Sequence, residues 1–302
     1  MINTVLGKIQ KEELGHTRIH EHILWDWTKE VKNDFDRNVV INIMLPHLLE
    51  LKSLGCDTLV EATTKGAGRD TSVLKELSEK SGLNIITNCG VWDGLNYNGI
   101  YVPQEIKNMS SYQIAELWID EFENGIDNTR IKPGFIKIGL GDNDLISEFQ
   151  TNFLNAAITV CKHTGLPIIS HICSSKSARR IVEIIKSQNL EPRRFVWSHA
   201  DYAYDDNTII ELAKQGIWVE LSWHIGETND YSWYIEIIKK MTEMNLLNQL
   251  LISQDAGGFH KGNIVSYKNF YTEFIDGCLK GGINSEIIDR LLVINPSNLL
   301  DN

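Results

Sequence analysis

The run Thr17-Arg-Ile-His-Glu-His-Ile-Leu24 places two histidines one residue apart inside a stretch of strand character. Alternate side chains of a strand share a face, so His20 and His22 project together while Glu21 points the other way. Two neutral imidazoles on one face can hold a zinc-like cation. Two ordinary surface or core histidines would look the same in sequence. The readings separate on whether other strands also end in ligand-type residues.

Working outward, short β-branched runs alternate with longer segments of helical period. The strand candidates are Thr17–Leu24, Thr58–Ala62, Asn84–Asn88, Gly134–Ile138, Pro167–His171, Arg194–His199, Ile217–Leu221 and Gln249–Ser253. Helical patterns fall at Val39–Leu54, Thr71–Ser81, Ser111–Asn124, Ser147–Thr164, Ser174–Gln188, Asn207–Lys214, Tyr234–Asn245, Ser266–Leu279 and Ser285–Leu292. Gly55 and Gly82 supply C-terminal stops to the first two. This alternation predicts an α/β protein with a parallel sheet. Eight strands favour a closed (β/α)8 TIM barrel over an open doubly wound sheet. No G-x-G-x-x-G follows a strand and no G-x-x-x-x-G-K-[ST] occurs, so the nucleotide-binding alternative lacks its mark. With no repeat, low-complexity tract or Pro/Ser-rich linker, residues 1–302 are expected to form one domain. Two connections are long for a compact domain, Trp25–Asn38 and Gly90–Ser110, and both follow strands on the side where barrel enzymes build their sites.

Composition narrows the partners. The formal charge of -11 argues against nucleic acid or an anionic membrane surface and fits a small-molecule substrate. The five cysteines are scattered and never spaced C-x-x-C, which fits buried thiols in a reducing compartment rather than a disulfide framework or thiolate zinc site. The first residues carry no apolar h-region and no run is long enough to span a membrane, so the expected location is cytoplasmic.

The strand ends then add up. Strand four, Pro133-Gly-Phe-Ile-Lys-Ile-Gly139, sets Lys137 in an apolar run; strand five ends in His171, strand six in His199, and strand eight runs into Asp255. Each has an ordinary explanation, such as a local hydrogen bond or a helix N-cap. Together they put four histidines, a lysine and an aspartate around one barrel mouth.

His20-Glu-His22, Gly134-Phe-Ile-Lys-Ile-Gly139, Ser170-His-Ile172, Ser198-His-Ala-Asp201, Ser253-Gln-Asp255 and the closing Asn295-Pro-Ser297 resemble the phosphotriesterase family of the amidohydrolase superfamily. So do Glu61-Ala-Thr-Thr-Lys-Gly-Ala-Gly-Arg-Asp70 and Gly125-Ile-Asp-Asn-Thr-Arg-Ile-Lys-Pro-Gly134. The resemblance spans nearly the whole chain, in order. It implies a binuclear centre at the C-terminal face of the strands: His20, His22 and Asp255 on the more buried metal, His171 and His199 on the outer one. Lys137 would bridge the two as a carbamate formed with carbon dioxide. An apolar strand disfavours the ammonium, and a neutral amine can take up carbon dioxide to become an anionic oxygen ligand. Nitrogen and oxygen donors suit zinc first, with manganese, cobalt or iron as alternatives. Two cations roughly 3.5–4 Å apart can share a water and lower its pKa. A bridging hydroxide would attack an ester centre, with Asp255 as general base.

Within that resemblance a lactone, for instance a sugar lactone or its phosphate, is the favoured substrate, and an organophosphate or other phosphoester is the alternative. A third possibility is a metal-bound binding protein without turnover. Trp92 stands where lactonases of the family often carry a tyrosine. Trp223 stands just before His224, where relatives often carry an acid, and His224 is a candidate for the leaving-group pocket. Trp25, Trp27, Tyr97 and Tyr101 would frame the mouth with Trp92 and Trp223. Lys65, Arg69 and Lys261 are candidates for an anionic group on the substrate. Dimers are common in the family, and a homodimer is the assembly it implies.

Overall fold

The structure is a computed structural model describing residues 1–25, 36–94, 99–141, 146–260 and 263–301. Trp27, Tyr97 and Lys261 lie outside the described residues, as do parts of both long connections.

We label the strands β1 Thr17–Leu24, β2 Thr58–Glu61, β3 Asn84–Val91, β4 Phe135–Gly139, β5 Ile168–His171, β6 Phe195–Ser198, β7 Trp218–Leu221 and β8 Leu250–Ile252. Every pairing among them is parallel, each strand beside its sequence neighbour. β3 departs from the expected continuous strand. Its ladder breaks at Thr87, with Asn84–Ile86 paired to β2 and Asn88–Val91 to β4. The Thr87 carbonyl instead accepts from Gly134 N at 2.8 Å. The other end of the sheet is tied by the segment after β8: Asp255 N donates to His20 O at 3.2 Å, and His22 N donates to Ala256 O at 2.9 Å.

One side chain from every strand meets in a single buried cluster: Ile19, Val60, Ile86, Phe135, Ile169, Val196, Trp218 and Leu251. Ile2, Leu14, Leu299 and Leu300 complete it at the N-terminal end of the strands. Strand alternation then fixes the next inward positions. Two residues beyond Phe135, Ile169, Trp218 and Leu251 come Lys137, His171, Glu220 and Ser253, all buried. The apolar floor therefore carries a polar layer above it, and that layer is the site.

The helices lie between the strands close to their expected limits. Thr71–Ser81 starts at Asp70, whose side chain accepts from Ser72 N and Val73 N, and stops at Gly82 with φ +71°. Ser111–Asn124 begins with a Ser110/Gln113 capping box. The expected helices Ser266–Leu279 and Ser285–Leu292 are each interrupted by wide π-type turns, at Phe270–Ile275 and Arg290–Ile294. Two hairpins had no sequence signal: Ile2–Thr4 with Gly7–Ile9, and Gly257–His260 with Asn263–Val265. All five cysteines are buried, outside any disulfide. Among the described residues no helix is long and apolar enough to cross a membrane.

Gly257 is the tightest point of the join between β1 and the segment after β8. Its φ is +89°, and a Cβ there would lie 1.9 Å from His22 O and 2.2 Å from the Tyr267 hydroxyl. Gly257→Ala is expected to lower stability by about 1–3 kcal/mol. Thermal unfolding checks it, and an unchanged midpoint refutes it.

Candidate metal centre

The site begins with an irregularity in β1. The register with β2 shifts between Arg18 and Glu21, one extra residue on the β1 side. Such a bulge re-aims side chains. Here it lets Ile19 stay in the floor while His20 and His22 both face the space above it, rings 5.7 Å apart. Glu21 faces the other way, into a hydrogen-bonded cluster with Arg18, Ser253, Gln254 and Ala256.

Asp255 arrives from beyond β8 and is where the imidazoles converge. His22 Nε2 is 2.9 Å from Asp255 Oδ1, His20 Nε2 is 3.6 Å from the same oxygen, and His199 Nε2 is 3.9 Å from Oδ2. Lys137 Nζ stands 2.8 Å from His20 Nε2. The His171 ring is 4.6 Å from that of His199. His199 and Asp255 hold left-handed backbone, φ +63° and +55°. Non-glycine residues rarely adopt it, and it turns both side chains out of strand alternation toward the centre.

Each histidine is also gripped from behind. His20 Nδ1 meets Glu220 Oε2 at 3.3 Å, His22 Nδ1 meets Thr63 Oγ1 at 2.7 Å, and His199 Nδ1 meets Ser222 Oγ at 3.0 Å. His171 is held from its other nitrogen, Nε2, by Cys173 Sγ at 3.4 Å. These four partners were not assigned from sequence. Only Glu220 left a signal there, as a carboxylate inside the apolar run Ile217–Leu221.

Electrostatics decides whether this set suits a cation. Burial, then the neighbouring Lys137, lowers the His20 pKa, and burial, then His171, holds His199 well below the ordinary histidine value. Burial thus disfavours a charge on either ring. An ionised carboxylate only accepts, so the Glu220 contact favours the His20 tautomer with its hydrogen on Nδ1 and a lone pair on Nε2, on the side of Lys137 and Asp255. Burial opposes the Asp255 charge, but His20 and His22 hold its carboxyl well below the ordinary aspartate value. Imidazole nitrogens and the Asp255 carboxylate converge on one space, and the Glu220 carboxylate behind His20 has its buried Oε1 without a hydrogen-bond partner. Acceptors packed this closely are stabilised by positive charge between them, and the donor set fits divalent cations. His20, His22 and Asp255 form one group with ligand spacing, and His20, His199 and Glu220 form another.

The walls are aromatic. Trp25, Trp92 and Trp223 line the space with the ligand-type residues, and Tyr101 packs on Trp25 and Trp92 with centroids at 5.9 and 5.3 Å. His224 is placed elsewhere. Its ring stacks on Tyr204 at 5.0 Å, its backbone N donates to Asp201 Oδ2, and Trp223 rather than His224 faces the centre. Two of the three candidate cations for a substrate anion pair with carboxylates instead. Arg69 is fully buried, with Nη2 on Glu121 at 2.7 Å and Nη1 on the Asn88 carbonyl at 2.5 Å. Lys65 lies 3.5 Å from Asp127 and 3.9 Å from Glu105. Both follow β2 in sequence, but carboxylates of the segment before β4 draw them away from the centre.

Comparison with known proteins gives the family and the fold. Residues 1–300 match the sequence model of the phosphotriesterase family. The human N-acetyltaurine hydrolase is 25% identical, covering 99% of this chain and 97% of its own. The phosphotriesterase homology protein of Escherichia coli K12 is 24% identical, covering 94% and 97%. Among solved structures, a triple mutant of the organophosphorus hydrolase from Deinococcus radiodurans superposes with a TM-score of 0.87 at 22% identity, over 100% of this chain and 97% of that one. A protein engineered for organophosphate hydrolysis from a weak promiscuous lactonase template gives a TM-score of 0.86 at 22% identity, covering both chains fully.

Proposed function

The chain belongs to the phosphotriesterase family of hydrolases, and from that premise we propose that it opens lactones at a centre of two divalent cations, zinc foremost. The observation that carries this reading is the convergence of His20, His22 and His199 on Asp255 within 3.9 Å, beside a buried Lys137. His20, His22 and Asp255 would hold the inner cation and His171 and His199 the outer, with Lys137, as its carbamate, between them. When bound, such a pair lowers the pKa of a water and polarises the scissile carbonyl. Asp255, kept ionised among the histidines, accepts the proton of the attacking water and returns it to the leaving oxygen. Trp25, Trp92 and Trp223 exclude bulk water and offer flat apolar walls to a ring. We read the strands as a closed barrel and the chain as one domain, which the bonds between residues 255–256 and β1, and the floor cluster drawn from all eight strands, support.

A second reading, an N-acyl amide as substrate, is favoured by the relatives named N-acetyltaurine hydrolase. The tryptophan walls and the pairing of Lys65 and Arg69 with carboxylates favour the uncharged lactone over a sulfonated amide. The test is a panel of lactones, N-acyl amino sulfonates and aryl phosphotriesters with zinc-loaded protein. Lactones are expected to turn over fastest, with activity following metal content through chelation and reloading. A lactone rate no higher than that of the chelated protein defeats the proposal, and fastest turnover of the amides selects the second reading.

A further inference from the structure

Glu220 sits in the middle of β7 between Val219 and Leu221, 1% exposed. A carboxylate in the interior of a parallel sheet costs several kcal/mol unless charge or hydrogen bonds offset it. Its contacts lead to the metal centre. Oε2 lies 3.3 Å from His20 Nδ1 and 3.3 Å from His199 N, while Oε1 is buried without a hydrogen-bond partner. The first contact selects between tautomers: a hydrogen on His20 Nδ1 is placed to reach Glu220 Oε2, and that tautomer keeps a lone pair on Nε2, which faces Lys137 and Asp255. The second holds the backbone of His199 at its left-handed turn, φ +63°. One carboxylate thus grips a ligand-type residue from β1 and another from the end of β6, across the barrel interior.

We propose that Glu220 is a positioning residue of the metal centre, fixing His20 as the Nδ1–H tautomer with Nε2 aimed at the inner cation and holding the His199 turn for the outer one. The inference rests on the metal reading above. No motif of the chain assigns this residue, and its neighbours in β7, Trp218, Val219 and Leu221, are apolar.

The test uses the full chain, wild type, Glu220→Leu and Glu220→Gln. In metal-stripped protein, ring-nitrogen NMR is expected to show His20 as Nδ1–H in wild type, with the Nε2–H form appearing in Glu220→Leu. Zinc affinity, read by chelator competition, is expected to fall about 10–100-fold in Glu220→Leu. Glu220→Gln keeps an acceptor and the shape, so it is expected to fall between; it also carries the test if the leucine variant fails to fold. The d–d spectrum of the cobalt-loaded glutamine variant is expected to shift. If wild type binds its cations and both variants bind them as tightly with His20 unchanged, Glu220 does not position the centre and the metal reading stands. A wild type that takes up no cation overturns both.

Discussion

Lys137→Met is expected to lower kcat/KM by about ten-thousand-fold, or about 5.4 kcal/mol of transition-state stabilisation, and the same variant is expected to be more heat-stable than wild type when both are stripped of metal at pH 7. The two effects share a cause. Lys137 is 1% exposed between Ile136 and Ile138 on β4, its Nζ 2.8 Å from His20 Nε2. Burial lowers its pKa to about 8, with Asp255 and Glu220 opposing the shift. The unfolded chain therefore binds more protons than the folded one between about pH 8 and the ordinary lysine value near 10.4. Stability rises with pH across that window, and the penalty of the buried ammonium is fully present below about 8. Methionine keeps the stem volume and removes the penalty, so its stability advantage is expected at pH 7 and to shrink at pH 10. The neutral amine is also the form that combines with carbon dioxide, so metal reconstitution of wild type in bicarbonate is expected to quicken as pH rises toward 8. Calorimetry at two pH values and metal analysis of both proteins check this. Full activity in Lys137→Met would remove the lysine from the centre; equal stability at pH 7 would mean that its ammonium is not buried at a cost.

Residues ending apolar runs were the easiest to read from sequence. His171, His199 and Asp255 each close a β-branched stretch, and parallel barrels bring such ends to one face whatever their separation along the chain. What escaped were features set by neighbours across the sheet. The break at Thr87 exists because β2 and β4 claim different halves of β3. Gly257–His260 reads as a loop in sequence and becomes a strand only because its glycine lets the backbone approach His22 O. Thr63, Ser222 and Cys173 are ordinary residues until the fold sets them behind histidines. Arg69 could be read either as a substrate contact or as a partner of a carboxylate, and Glu121, fifty-two positions later, claims its guanidinium. Side-chain chemistry was written locally, but the direction each side chain faces was not.

Glu21 shows how far that distinction goes, and removing it gives the largest stability loss expected here. Between the two histidines, strand alternation places it only on the opposite face. In the fold it is fully buried and ion-paired with Arg18, whose guanidinium lies 3.8 Å over the Phe270 ring centroid. Its Oε1 accepts from Ser253 Oγ and Gln254 N, and its Oε2 accepts from Ala256 N at 2.7 Å. Glu21→Ala leaves a buried guanidinium uncompensated and two backbone N–H groups unpaired, a loss of about 3–5 kcal/mol for the broken ion pair alone. Denaturant unfolding of metal-stripped protein reads it. The double variant Arg18→Met with Glu21→Met separates the two contributions. If Glu21 serves only to neutralise Arg18, the double variant regains wild-type stability, as apolar replacements of buried pairs often do. Partial recovery is expected instead, because Gln254 N and Ala256 N remain unsatisfied. Those two amides flank Asp255, which is held at φ +55°. The double variant is therefore expected to bind zinc more weakly than wild type even where it is folded, and wild-type zinc affinity in that protein would show that Asp255 keeps its place without the carboxylate behind it.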